Sequence, residues 1–198
     1  MSLGIHGVVL AAGASRRAGG PKALAIHRGR TFVEHAVTTL EAGGCARVAV
    51  VLAAPHGARV ERVLPRAEVI WNPEPERGQL SSLRCALRAT EARAVVVSLV
   101  DHPRVSPRTV RALLDVHRAT GAWVVRPRFA GRRGHPLLLD RVLFERICAE
   151  PGSDGLRGIL RSLPARHEHA VDVPDPAIHD DVDTQGQVAA IGATLATA

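Results

Sequence analysis

Of the 26 lysines and arginines in this 198-residue chain, only Lys22 is a lysine. It closes the stretch LAAGASRRAGGPK, residues 10–22, which also carries Ser15, Arg16 and Arg17. Glycines let a backbone approach a ligand closely and turn its N–H groups toward an anion. An ammonium is a compact point charge that fits among such groups, whereas a guanidinium is a planar fork. Carboxylates form a second set: Asp101 in VDHP, and Asp180, Asp181 and Asp183 in HDDVDT. Hard oxygen donors of this kind suit Mg²⁺. An anion-holding loop with carboxylates nearby is what phosphoryl or nucleotidyl transfer needs, because positioning and charge neutralisation dominate that chemistry.

Plainer roles are open for the same residues. A coding bias toward arginine leaves a stray lysine somewhere, and Arg17 and Lys22 are then solvated loop charges. Asp101, Asp183 and Ser82 each precede or open a helix and suit a cap. His135, in GRRGHP, has a structural hydrogen bond as its alternative to a substrate contact. His167 and His169 share a strand face at a spacing that suits a metal, but no third ligand accompanies them, which favours a solvated edge. Trp71 is expected in the core rather than stacked on a base.

Two familiar phosphate loops are excluded by spelling. The P-loop needs Gly-Lys-Ser/Thr, and here Lys22 follows Pro21 with no hydroxyl after it. The dinucleotide fingerprint needs GxGxxG and an acid at the end of the second strand. Residues 13–18 read GASRRA, and that strand ends Val51-Leu52-Ala53.

The elements that must position these groups alternate along the chain. IHGVVLA (5–11), ARVAVVLA (46–53), AEVIWN (67–72) and RAVVVSLVD (93–101) read as buried strands. Between and after them lie helical patterns at 31–44, 57–64, 81–92 and 106–121, the last with Ser106, Pro107 and Gly121 as start and stop signals. Apolar strands alternating with helices imply an α/β fold around a mainly parallel sheet. Residues 122–140 read as two strands joined by a Gly/Arg turn, so the sheet is expected to be mixed. Short helices near 141–149 and 154–163, a strand at 167–173 and a C-terminal helix within 181–195 complete the pattern, a single domain over 1–198.

Composition narrows the class. No apolar run approaches a membrane span of about 18 residues, and no basic n-region with an apolar stretch marks a secretion signal. Three scattered cysteines without a CxxC suit a reducing, cytoplasmic setting. The net charge of +7 attracts anions. Aromatics make up 3% of the chain, with no tyrosine, a thin stacking surface for single-stranded nucleic acid. Small polyanions such as nucleotides fit better.

Five segments in order carry a resemblance: LAAGASRRAGGPK (10–22), GQLSSLRCAL (78–87), VDHP (100–103), GRRGHPLLL (131–139) and DVDT (181–184). Together they resemble the nucleotidyltransferases of the glycosyltransferase-A-like Rossmann fold, and most of all the molybdenum cofactor cytidylyltransferase branch. The resemblance covers about residues 5–190. It implies a three-layer α/β/α, Rossmann-like mixed sheet of the nucleotide-diphospho-sugar transferase type. It implies transfer of CMP from CTP to the terminal phosphate of molybdopterin, with release of pyrophosphate and with Mg²⁺ or Mn²⁺ as cofactor. Lys22, Arg17 and Asp101 are then the catalytic set, and Leu10, Ala11, Ala12, Gly13, Ser15, Gly19, Gln79 and Ser82 surround the nucleotide. Asp101 and Asp183 hold the metal, and His135 faces the acceptor. Ala18 departs from the family's usual methionine but stays apolar. Ala12 and Pro21 depart from the guanylyltransferase pattern and favour CTP over GTP. A guanylyl, sugar-phosphate or phospholactate nucleotidyltransferase is the alternative on the same fold. A carrier that delivers finished cofactor to a molybdoenzyme is the alternative of another class.

Overall fold

A computed structural model describes residues 4–13, 15, 20–64, 67–150 and 154–195. Its elements in chain order are β1 (Ile5–Leu10), β2 (Ile26–His27), β3 (Arg30–Thr31), α1 (Phe32–Gly43), β4 (Val48–Leu52), α2 (Gly57–Glu61) and β5 (Glu68–Trp71). Then follow α3 (Gln79–Ala89), β6 (Ala94–Leu99), α4 (Pro107–Thr120), β7 (Val124–Phe129), β8 (Arg132–Arg133) and β9 (Leu137–Asp140). The chain continues through α5 (Phe144–Ala149), α6 (Gly155–Arg161), β10 (Glu168–Asp172) and α7 (Gln185–Ala190).

One sheet runs β10-β7-β9-β6-β1-β4-β5, with β8 pairing β7 at the side. The pairs β1–β4, β1–β6, β4–β5 and β7–β10 are parallel, and β9 runs antiparallel to both neighbours. The sheet is therefore mixed and mainly parallel, as the strand patterns imply. Both faces are covered, which explains the unbroken apolar runs. Val9, Val50 and Val96 pack with Phe32 and Leu40 of α1 and Leu113 of α4. Val8, Val51 and Val97 face the other way, toward Leu83 of α3, Ile147 of α5 and Leu160 of α6. Each such Leu, Ile or Phe, taken fully from water, stabilises the fold by about 1.5–3 kcal/mol.

Local signals set the helix ends. Thr31 and Glu34 form a reciprocal capping box on α1, and Gly44 ends that helix in a left-handed conformation. Ser106 caps α4, with Pro107 in its first turn and Gly121 at its end.

Topology creates the crevice. After β1 the chain passes through α1 to β4 on one flank of β1; later it returns through α3 to β6 on the other flank. The reversal leaves a gap at the carboxyl ends of β1 and β6, the place where open α/β sheets take ligands.

Two expectations differ from the structure. Trp71 is 46% exposed on the edge strand β5, where its ring lies over Gly57, a position with no room for a Cβ. It caps an edge rather than filling the core. His167 precedes β10 in a 3-10 turn, and its ring stacks on Trp123 with centroids 3.5 Å apart. It therefore does not share a strand face with His169. The hairpin β2–β3 has no counterpart in the sequence pattern, because two-residue strands are too short to show a period.

Candidate active site

Two clefts meet at the crevice, sharing Leu10, Gln79 and Leu99 in their walls. The smaller, about 180 Å³, is lined by Ala11, Gly13 and Ser15 from the loop after β1, together with Lys22, Asp101 and Asp183. The larger, about 490 Å³, contains Arg77, Arg84, Arg126, His135 and Arg157.

The loop after β1 is held by its own side chains. Ser15 Oγ accepts the Lys22 backbone N–H at 3.1 Å, with Ser15 itself at φ 51°. A Cβ added to Gly13 would meet nothing within 4 Å, so this glycine leaves the small cleft open. Lys22 then starts a 3-10 turn that buries Ala23 and Leu24, fixing its backbone at the cleft wall.

Asp101 lies in the turn after β6. Its carbonyl accepts the Val182 N–H at 2.9 Å, and this bond draws the DVDT segment alongside. Thr184 caps α7, with Gln187 reaching back to the backbone N–H groups of Asp183 and Thr184. The cap is therefore Thr184, and the carboxylate of Asp183 turns elsewhere. Lys22 Nζ donates to Asp183 Oδ1 at 2.6 Å and to Asp101 Oδ2 at 2.8 Å. Two residues 79 and 161 positions away in sequence thus meet on one ammonium. The other Asp101 oxygen, Oδ1, accepts from His102 Nδ1 at 3.0 Å. The cap of α4 is Ser106, so Asp101 does not serve that helix.

The electrostatics follow from this packing. Burial alone would raise the Asp101 pKa, but hydrogen bonds from His102 and Lys22 hold the carboxyl well below the usual range. Burial likewise works against the Lys22 charge, and the two carboxylates outweigh it and raise its pKa. His135 is pushed down to about 4, first by burial and then by the neighbouring His102. The two imidazoles meet edge to face with centroids 5.5 Å apart. His135 Nδ1 is buried with no hydrogen-bond partner among the described residues. Gly134 allows this placement: a Cβ there would lie 2.4 Å from the Ile178 carbonyl, which also accepts the His135 N–H at 3.0 Å.

Of the remaining expected site residues, Gln79 lines both clefts. Ala12 packs against the core beneath. Ser82 is buried at 4% exposure, and its hydroxyl accepts from Asn72 Nδ2 at 2.9 Å. It is thus absent from both cleft walls and does not cap α3, whose N-cap is Gly78. Arg17 and Gly19 lie outside the described residues, as does Arg16.

Sequence reading missed four residues here. His102 was visible beside Asp101 in VDHP. Asn72 carried no signal, yet Nδ2 donates to both Ser81 and Ser82 while Oδ1 accepts the Glu74 N–H, joining the 73–78 loop to α3. Arg126 and Arg157 enter the larger cleft from β7 and α6, and nothing in their local sequence marks them.

The model of the MobA-like NTP transferase domain matches residues 7–171. The chain belongs to this family. It is accordingly an enzyme of the nucleotidyltransferase class. Nicotine blue oxidoreductase from Paenarthrobacter nicotinovorans is 37% identical over 93% of the chain and 94% of its own length. The crystal structure of Rv0371c from Mycobacterium tuberculosis H37Rv is 31% identical, with a TM-score of 0.81 over 96% of this chain and 98% of that one. A manganese complex of Rv0371c matches at 29% identity and a TM-score of 0.74, covering 95% and 97% of the two chains. The α/β nucleotidyltransferase fold is thus shared along nearly the whole length.

The carboxylate pair fits a divalent ion. Asp101 and Asp183 converge on one cation, the ammonium of Lys22, from separate segments. Mg²⁺ and similar ions take one or two such carboxylates, with phosphate oxygens and water filling the shell. Among the described residues, no group of three or more His, Cys, Asp or Glu is placed to hold a metal ion by itself.

Proposed function

We propose that this protein transfers CMP from CTP to the terminal phosphate of a phosphorylated acceptor, molybdopterin carrying molybdenum, with release of pyrophosphate. The observation that carries the reading is the Lys22–Asp101–Asp183 cluster, in a cleft that adjoins a second, arginine-lined cleft. CTP occupies the smaller cleft, with its triphosphate against the loop after β1 and Lys22. Arg17 and Gly19 belong to the same phosphate contact. Leu10, Ala11, Gly13, Ser15 and Gln79 bound the nucleotide; Ala12 packs on the core beneath that wall, and Ser82 acts from α3 through its bond with Asn72.

The acceptor phosphate enters the larger cleft, where Arg126 and Arg157 offset its charge and His135, held neutral, accepts or donates one hydrogen bond. An acceptor oxygen attacks the α-phosphorus in line; the bond from that phosphorus to the oxygen bridging toward the β-phosphorus breaks, and pyrophosphate leaves. A phosphate monoester is already anionic, so no covalent protein nucleophile is needed. The protein's part is to hold two anions together against their repulsion. A Mg²⁺ or Mn²⁺ ion held by Asp101 and Asp183 supplies further neutralisation of the triphosphate. The chain acts as one domain in the cytoplasm. Its three cysteines are free, and no described helix is long and apolar enough to cross a membrane.

Thermal unfolding with CTP, GTP, ATP and UTP, each with and without Mg²⁺, tests the reading. Ligand that binds only the native state raises the midpoint. A CTP-selective, Mg²⁺-dependent rise followed by pyrophosphate release on adding molybdopterin is expected. A GTP-selective rise moves the protein to the guanylyl branch. A second reading follows from the 37%-identical relative that is named an oxidoreductase. Against it stands the absence of the dinucleotide fingerprint, with β4 ending at Leu52 and no acid following. NADH or NADPH consumption without pyrophosphate release would favour it.

A further inference from the structure

The carboxylates read above as the metal site already have protein partners, and the inference rests on that reading. Asp101 Oδ2 and Asp183 Oδ1 both accept from Lys22 Nζ, at 2.8 and 2.6 Å, and Asp101 Oδ1 accepts from His102. Neither oxygen of Asp101 is without a partner. The Lys22 side chain is 12% exposed, so bulk water competes little for its ammonium. A divalent ion on the same two oxygens would stand within a few ångströms of that ammonium, and like charges at such range repel strongly where water is excluded.

The two ends of Lys22 differ in freedom. Its backbone is held by Ser15 Oγ and by the buried turn that follows. The side chain, with four rotatable bonds, is the part that can move, and it borders the open space lined by Gly13 and Ser15. A polyphosphate in that space offers the ammonium another set of oxygens.

We propose that Lys22 gates the metal site: it holds Asp101 and Asp183 as an internal counter-ion and releases them when a nucleoside triphosphate takes its ammonium. Metal binding is then conditional on nucleotide, and the coupling is reciprocal. The gate keeps a divalent ion from settling in the site without its substrate.

The test is Mn²⁺ titration of the full chain without nucleotide, followed by electron paramagnetic resonance of the free ion. The proteins are wild type, Lys22→Met, Lys22→Arg and the double variant Lys22→Met/Asp101→Asn, each checked for folding by circular dichroism. Lys22→Gln replaces the methionine variant should the latter not fold. Lys22→Met is expected to bind Mn²⁺ about tenfold more tightly than wild type, within the range of ordinary coupling between sites. Lys22→Arg, which keeps the charge, stays near wild type, and the double variant loses the gain. Equal affinity in wild type and Lys22→Met, with binding lost on Asp101→Asn, overturns the gate and leaves the metal site standing. Binding that ignores Asp101→Asn overturns both; no binding by any form overturns the gate, because removing the lysine then opens no site.

Discussion

The two clefts at the ends of β1 and β6 handle charge in opposite ways. In the smaller, opposite charges are already joined: Lys22 with Asp101 and Asp183, and Asp101 with His102. In the larger, like charges gather. Arg84 is occupied with the carbonyls of Ile147 and Glu150 at the end of α5. Arg126 faces Glu168, which Arg133 also approaches. Burial, with the charges of Arg133 and Arg157 added, pulls the Arg126 pKa down despite Glu168. In the smaller cleft the one ammonium must exchange its partners before it can act. In the larger, most arginines are held by their own partners, and Arg157 forms no ion pair among the described residues. This suits a site where one ligand brings its own cation and the other comes bare.

The comparison breaks most visibly at the paired side. Asp101→Asn should lower turnover by about 10³-fold or more, the scale on which a preorganised electrostatic group acts. Its unfolding midpoint should fall by several degrees while the fold is kept, because the pairs with Lys22 and His102 lose their charge and Asp183 still holds Lys22. Pyrophosphate release beside a melting curve checks this, and a wild-type rate removes Asp101 from the chemistry. Lys22→Arg should cost about 10- to 100-fold in kcat/KM, since a planar fork does not reproduce a point charge in a tight turn. An unchanged value means that charge alone suffices and that the lone lysine is a coding accident.

The larger cleft should show itself in pH and KM. The His135 pKa of about 4 lies below the 6.5 of a free imidazole. Between those values the unfolded chain binds a proton that the folded one refuses, so stability present above pH 6.5 is lost as pH falls toward 4. The loss attributable to this group is on the order of 2–3 kcal/mol. Urea unfolding at pH 7 and pH 4.5 should show less of it in His135→Gln; an identical slope in that variant assigns the loss elsewhere. Smallest of all, Arg157→Ala should raise the acceptor KM by about three- to tenfold, as one exposed charge allows. The KM for the nucleotide, proposed above to be CTP, should not move. A change in both would mean that the clefts are not separate subsites.

Much of the fold was legible because its signals are local. Strands buried on both faces are uniformly apolar, and α1 and α4 carry their own caps. The loop with Lys22 and the turn with Asp101 stood out by residue type and by their place after strands. Ser82 lies in the first turn of α3, which opens at Gln79 rather than at Ser81, and its burial beneath Asn72 depends on a residue ten positions away. Trp71 was misplaced because hydrophobicity does not tell an edge strand from a central one; sheet order does that.

The sequence by itself determined the α/β alternation, the helix ends and the chemical types available: one ammonium, several carboxylates and a glycine-bearing loop. These follow from backbone preference and side-chain period, which act within a few residues. Only the tertiary structure decided that Asp101 and Asp183 share one lysine, that Thr184 rather than Asp183 caps the last helix, and that four arginines gather opposite them. Those pairings depend on strand order and, for Asp183, on the Val182 N–H bond to the Asp101 carbonyl and the burial of Val182 in the core. Such contacts join positions far apart in the chain, and no local pattern records them.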